Sequence, residues 1–100
     1  MTYVKYDFGD AINPRFFVRE SFAGVAEFTA ESKADWVAAG LNYSGSPGGL
    51  GVWTCHASDL HPGFWTLRRP DLGLMGYASN GTFAQAIVDA MTDYPNAEPE

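Results

Sequence analysis

The sequence predicts an α+β fold: one antiparallel β-sheet of about four to six strands, with two α-helices at about 30–42 and 82–94 packed on one face. Short segments rich in aromatic and β-branched residues predict the strands, and two longer segments with apolar residues at helical spacing predict the helices. The order along the chain is strands, helix, strands, helix. A chain of 100 residues fits one domain, which we place at 1–95, followed by a flexible C-terminal tail at 96–100.

Two or three strands are predicted before the first helix. GDAINP forms a turn after the first strand, because Gly and Asn-Pro interrupt regular structure. RFFVRE forms a second strand, and SFAGVAEF forms a third that bends or turns near Gly24. The first strand, TYVKYDF, alternates with period two, so that one set of side chains lies on each side: Val4, Tyr6 and Phe8 against Tyr3, Lys5 and Asp7.

The first helix lies in TAESKADWVAAGLN. Thr29 or Ser32 is expected to cap its N-terminus, and Trp36 is expected to lie to one side of the apolar face. A loop, NYSGSPGGLG, ends the helix. The apolar face comprises Ala34, Val37, Ala38 and Leu41.

The second helix lies in TFAQAIVDAMTDY, where Thr82 and Gln85 have the spacing of a capping box. A duplicated βαβ-like half of the chain would fit the likeness between DWVAAGLNY in the first helix and AIVDAMTDY in the second. Three identities over nine positions are, however, close to chance. Asp89 and Asp93 share an outward stripe of the second helix, and its core face comprises Phe83, Ile87, Val88 and Met91.

GVWTCHAS and FWTLRR form a hairpin around the connection DLHPG, and LGLMGYA adds a short strand. Ser58 is then opposite Phe64, and the pairs that follow are Ala57 with Trp65, His56 with Thr66, and Cys55 with Leu67. One side of this hairpin is apolar and comprises Trp53, Cys55, Ala57, Trp65 and Leu67. The other side comprises Thr54, His56, Ser58, Phe64, Thr66 and Arg68, with Arg69 nearby.

Cys55, His56, Asp59 and His61 are residue types that form nucleophilic dyads and metal sites. Adjacent residues of a strand point to opposite sides, so Cys55 and His56 are not expected to act as nucleophile and base. Burial among apolar neighbours should raise the pKa of Cys55. A zinc site would need His61 to fold back over the strand, and such sites normally have three or four ligands. We predict no catalytic residue, no metal and no cofactor.

The charge distribution is uneven, with a formal net charge of -6. Residues 1–69 hold seven acidic and six basic side chains, whereas residues 70–100 hold five acidic side chains and no Lys or Arg. An acidic surface repels phosphate backbones, so no direct nucleic-acid binding is expected, and it would suit a basic groove on a protein partner. The single cysteine, the lack of a signal peptide and the lack of a long apolar stretch predict a cytoplasmic protein that does not enter membranes.

These observations favour a small acidic, non-enzymatic protein-interaction module. Two surfaces are candidates for partner binding: a sheet face of Thr54, His56, Phe64, Thr66, Arg68 and Arg69, and an acidic face of Asp71, Asp89 and Asp93. Inhibitors of nucleic-acid-handling complexes from phages and mobile elements, such as anti-CRISPR proteins, share this size and charge, but no residue motif supports the analogy. The alternatives are a small metal-binding or hydrolytic domain that uses His56, His61 and Asp59, and a self-associating structural subunit. The chain would act as a monomer or a homodimer.

Overall fold

A computed structural model describes residues 3–7, 15–20, 23–28, 30–44, 52–60, 62–96 and 98. Each predicted strand and helix is found in this part of the chain. The elements are β1 (Tyr3–Asp7), β2 (Phe16–Glu20), β3 (Ala23–Phe28), α1 (Glu31–Asn42), β4 (Thr54–Ala57), β5 (Trp65–Arg69), β6 (Gly73–Ala78) and α2 (Gly81–Asp93).

The six strands form one sheet in the order β1-β2-β3-β6-β5-β4, and every neighbouring pair is antiparallel. Helix α1 packs on the β1-β2-β3 half, and α2 packs mainly on the β4-β5-β6 half. The helices also contact each other, so they cover the same face of the sheet. The predicted α+β fold is therefore confirmed, with six strands.

The core lies between the helices and the covered face of the sheet. Trp36 belongs to it, with only 3% of its surface exposed. Its ring meets the ring of Trp53 edge-to-face at 5.3 Å, and its Nε1–H donates to the carbonyl oxygen of Asn96 at 2.8 Å. The prediction that Trp36 lies to one side of the apolar face is wrong, because α1 is also packed against Trp53 and the residues after α2. Other core residues include Val18, Val25, Phe28, Val37, Leu67, Met75, Ile87 and Met91.

The N-terminus of α1 differs from the prediction. Ala30 is the N-cap residue, and its side chain makes no capping hydrogen bond. The hydroxyl of Ser32 instead donates to Glu98 at 2.7 Å, while Thr29 lies outside the described residues. Glu98 and Asn96 fall in the predicted flexible tail, and both are hydrogen-bonded to α1.

The N-cap of α2 lies two residues before the predicted cap, Thr82. Asn80 is the N-cap, and its side-chain oxygen accepts a hydrogen bond from the backbone N–H of Phe83 at 2.9 Å. Thr82 lies within the first turn of the helix. Asn80 caps the helix because its amide oxygen, three residues before Phe83, accepts from one of the free N–H groups of that turn.

The fold consists of two βββα units in sequence, β1-β2-β3-α1 and β4-β5-β6-α2. The two helices begin at positions 31 and 81, which are fifty residues apart. Both units also have a register shift at the same point of their second hairpin, between Val18 and Arg19 in the first and between Leu67 and Arg68 in the second. The identities between the helix sequences are fifty-one residues apart, as are the C-cap residues Tyr43 and Tyr94, so they match the ends of the helices and not their starts.

The two units meet where β3 pairs with β6. This ladder has two residue pairs, Ala26 with Ala78 and Glu27 with Tyr77, whereas β2–β3 and β5–β6 have five each. Gly76 lies at this junction: a Cβ atom added to it would collide with the ring of Phe28 and lie 2.7 Å from the carbonyl oxygen of Glu27. The close approach of β3 and β6 therefore requires glycine at position 76.

Candidate interaction surface

The sheet face that the helices leave uncovered, called the open face below, is identified by the contacts of β1. The ammonium group of Lys5 forms an ion pair with Glu31 and lies 3.6 Å from the carboxylate of Asp35, and both acidic residues belong to α1. Lys5 therefore points to the covered side. Because side chains alternate along a strand, Val4 and Tyr6 point to the open face, where 43% and 41% of their surfaces are exposed.

A row of directly paired residues crosses the open face on all six strands. Residues opposite each other in an antiparallel ladder share one side of the sheet, so the pairings place these side chains next to one another. At the usual strand spacing the row is about 24 Å long. Its members, from β1 to β4, are Tyr6, Phe17, Glu27, Tyr77, Thr66 and His56.

Arginines stack on two of the aromatic rings of this row. The guanidinium of Arg19 lies 4.5 Å from the ring centre of Tyr6, and that of Arg15 lies 5.2 Å from the ring centre of Phe17. The Nε–H of Arg15 also donates to the carboxylate of Glu27 at 2.6 Å. These cation–π contacts and the ion pair hold the long side chains against the sheet.

The hairpin part of the open face has the predicted register. Ala57 pairs with Trp65, His56 with Thr66, and Cys55 with Leu67. The predicted sheet-face residues Thr54, His56, Phe64 and Arg68 are exposed. Thr66 lies on the same face between its neighbours His56 and Tyr77, and only 8% of it is exposed.

Arg69 does not lie on the open face. It follows Arg68 in β5 and points to the covered side, where 9% of its side chain is exposed. Its Nε lies 2.8 Å from the carboxylate of Asp71, and its guanidinium lies 5.7 Å from the ring centre of Trp36. Alternation along the strand separates Arg69 from the other predicted sheet-face residues, so it cannot contact a partner on their side.

The predicted acidic residues lie in two places. Asp89 and Asp93 are exposed on α2, on the helical side of the molecule, and Gln85 donates to Asp89 at 2.9 Å. Asp71 lies in the turn between β5 and β6 and is ion-paired with Arg69. Asp89 and Asp93 are therefore more accessible to a partner than Asp71, whose carboxylate is paired with Arg69.

Cys55 and His56 lie on opposite sides of β4, as predicted. Cys55 pairs with Leu67 on the covered side, while His56 is exposed on the open face. Burial raises the pKa of the Cys55 thiol, and the nearby carboxylate of Asp89 raises it further. This environment is the reverse of the electropositive one that activates a cysteine.

The alternative metal site would use His56, His61 and Asp59. His56 and Asp59 are exposed, and His61 lies outside the described residues. Among the residues that are described, no group of three or more His, Cys, Asp or Glu side chains could hold a metal ion.

The open face also contains residues that were not predicted from the sequence. The alternation in TYVKYDF and RFFVRE separates the side chains of each strand into two sets, but both sets contain apolar or aromatic residues. The pattern therefore could not tell which set faces away from the helices. The added residues are Val4, Tyr6, Arg15, Phe17, Arg19, Glu27, Leu74 and Tyr77.

A cavity of about 540 Å³ lies beside the junction of β3 and β6 and reaches the start of α1. It borders the open face, because Glu27 and Tyr77 of the row are in its wall. The lining residues are Arg15, Glu27, Phe28, Ala30, Lys33, Phe64, Leu74, Met75, Gly76 and Tyr77.

Comparison with known proteins gives no match to a protein-family model, to a curated protein or to a solved structure. Neither helix is long and apolar enough to cross a lipid bilayer, within the part of the chain that the structure covers. The candidate surface is therefore interpreted from its own geometry and charge.

Proposed function

We propose that this protein is a binding module that recognises a protein partner through its open face. The observation that supports the proposal is the row of paired side chains from Tyr6 to His56, which crosses the sheet face opposite α1 and α2. Aromatic residues and arginine are enriched at the energetic centres of protein interfaces, because they provide large contact areas and several hydrogen bonds. Both residue types occur on this face, which carries Arg15, Arg19, Arg68, Tyr6, Phe17, Phe64 and Tyr77.

The charge of the open face indicates the chemistry of the partner. Arg15, Arg19 and Arg68 lie there with one described acidic residue, Glu27, although the whole chain carries a net charge of -6. The open face thus differs in sign from the rest of the protein. A partner that presents carboxylates around an apolar centre would complement it, and such complementarity accelerates association.

The size of the open face predicts a moderately weak complex. A sheet about 24 Å wide and five residues long has a flat area of about 400 Å². Stable complexes bury about 800 Å² on each partner, so this surface suits a transient interaction unless the partner also contacts the sheet edges. Chemical crosslinking before purification would therefore be needed to retain the partner.

The experiment is a comparative capture from the native host. Tagged wild-type protein and an open-face variant, Phe64→Ala with Arg68→Glu, would be crosslinked, purified and compared by quantitative mass spectrometry. A matched control carries Asp89→Lys and Asp93→Lys on α2, which changes two exposed residues on the other side of the protein. Light scattering of each purified protein gives its mass and detects a homodimer.

The candidate protein is the one recovered with the wild type and the α2 control but lost with the open-face variant. Its affinity is then measured with purified components, and we expect it to weaken as the salt concentration rises. A partner that binds the open-face variant as tightly as the wild type would contradict the proposal.

A second candidate function uses α2. Asp89 and Asp93 are exposed one turn apart, and the last turn of α2 carries no basic residue. This arrangement would suit a basic groove, as in an inhibitor of a nucleic-acid-handling complex from a phage or mobile element. The same capture experiment separates the two functions, because here the Asp89→Lys, Asp93→Lys protein would lose the partner and the open-face variant would keep it.

A further inference from the structure

The cavity beside the β3–β6 junction has a mostly apolar lining. The side chains of Phe28 and Met75 are almost completely buried at its wall, while Phe64 and Leu74 are partly exposed. Its volume of about 540 Å³ falls within the range of small-molecule sites, which are usually apolar clefts with a few polar groups.

Among the described residues, three charged side chains also line the cavity: Arg15, Lys33 and Glu27. Each of the two cations is partnered by a carboxylate, Arg15 by Glu27 and Lys33 by Glu98. Arg15 uses its Nε–H to bond Glu27 at 2.6 Å, and the terminal nitrogens of the guanidinium are not part of that bond. Lys33 lies in the first turn of α1 and is 3.3 Å from the carboxylate of Glu98.

We propose that this cavity binds a small aromatic carboxylate. The ring of the ligand packs against the partly exposed side chains of Phe64 and Leu74, above Phe28 and Met75. The carboxylate receives hydrogen bonds from Arg15 and Lys33. A guanidinium and an ammonium group are the usual donors to carboxylates in proteins, and each keeps N–H groups beyond the bond to its present partner. The proposal does not depend on the protein-binding function, because the ligand is bound by the isolated chain.

The test titrates the full-length, ¹⁵N-labelled protein with 3-phenylpropionate and, separately, with its neutral analogue 3-phenylpropionamide, followed by amide NMR spectra. For 3-phenylpropionate we expect saturable shifts at the backbone amides of Phe28, Met75 and Gly76, with a Kd of about a few millimolar, as its small size implies. The amide should bind about tenfold more weakly, because it lacks the charge.

Arg15→Gln tests the carboxylate contact and should weaken 3-phenylpropionate about tenfold without affecting the amide. Arg68→Gln is the matched control, since Arg68 is an exposed arginine of the open face that does not line the cavity. Lys33→Gln tests the same carboxylate contact if Arg15→Gln fails to fold, and it should also weaken the binding of 3-phenylpropionate.

Three results would overturn the proposal: shifts that do not saturate, shifts centred away from the lining residues, and equal affinity for the acid and the amide. Phe64 and Arg15 belong to both the cavity and the open face, whereas Lys33 lines the cavity alone. Lys33→Gln should therefore weaken the ligand and leave protein capture intact.

Discussion

Replacing Leu67 with alanine tests the assignment of the two sides of β5. Leu67 is fully buried on the covered side, and its partner on β6, Gly76, has no side chain that could fill the vacated space. The ring of Phe28 already packs on Gly76, so the surroundings have little freedom to collapse. We therefore expect Leu67→Ala to lower the free energy of unfolding by about 3 to 5 kcal/mol, the upper part of the range for this substitution.

Arg68→Ala provides the control at the adjacent position. Arg68 is exposed on the open face, so its removal should change the free energy of unfolding by less than about 0.5 kcal/mol. Urea unfolding followed by circular dichroism measures both variants, and an unchanged denaturant slope shows that the same surface is exposed. In thermal unfolding, Leu67→Ala should lower Tm by more than about 10 °C in a domain of this size.

Equal losses of stability for Leu67→Ala and Arg68→Ala would contradict this assignment, because they would mean that β5 does not separate a covered side from an open one. A loss below about 1 kcal/mol for Leu67→Ala would also refute it, since no fully buried leucine at a tightly packed position costs so little.

Three further predictions concern single residues. Gly76→Ala should lower the free energy of unfolding by about 1 to 3 kcal/mol in the urea assay, because the new methyl group must displace Phe28; a neutral result would contradict the close packing of β3 and β6. Asn80→Ala should cost about 1 kcal/mol by removing the cap of α2, and Asn80→Ser should restore most of it; identical losses would argue against the cap. The raised pKa of Cys55 means that less of it is thiolate at pH 7 to 8 than of an ordinary thiol. Cys55 should therefore react with a disulfide reagent more slowly than glutathione does. The rate of this reaction should keep rising at higher pH. Asp89→Asn should speed that reaction, and a Cys55 that reacts as fast as glutathione would show that burial does not control it.

The hairpin register was predictable because it depends on local information. A short connection rich in turn-forming residues joins β4 and β5, and fixing one pair fixes all the others. The opposite orientation of Cys55 and His56 follows from the same alternation. Local patterns of this kind need no knowledge of the rest of the fold.

The covered side of β1 was not predictable from its own sequence. Val4 and Tyr6 form the more apolar set, yet they face the open side, while Lys5 points toward the helices. Lys5 is accommodated there because its ammonium group reaches the carboxylates of Glu31 and Asp35. That compensation exists only after α1 has packed on the sheet.

The orientation of Arg69 was also not predictable from the sequence of its own strand. Next to Arg68, it was expected to contribute to the sheet-face surface, but it is buried beside Trp36 and paired with Asp71. A buried arginine is tolerated when a carboxylate lies in contact with it. The ring of Trp36 comes from a distant segment, and no periodicity along β5 could reveal it.

In the proposed function, the open face is the surface that recognises a partner. The most direct measurement is cross-saturation NMR of the labelled protein in complex with the captured partner, which identifies the residues in contact. We predict that the strongest effects fall on Tyr6, Phe17 and Tyr77, with little effect on α2. Strongest effects at Asp89 and Asp93, with the open face unaffected, would contradict the claim.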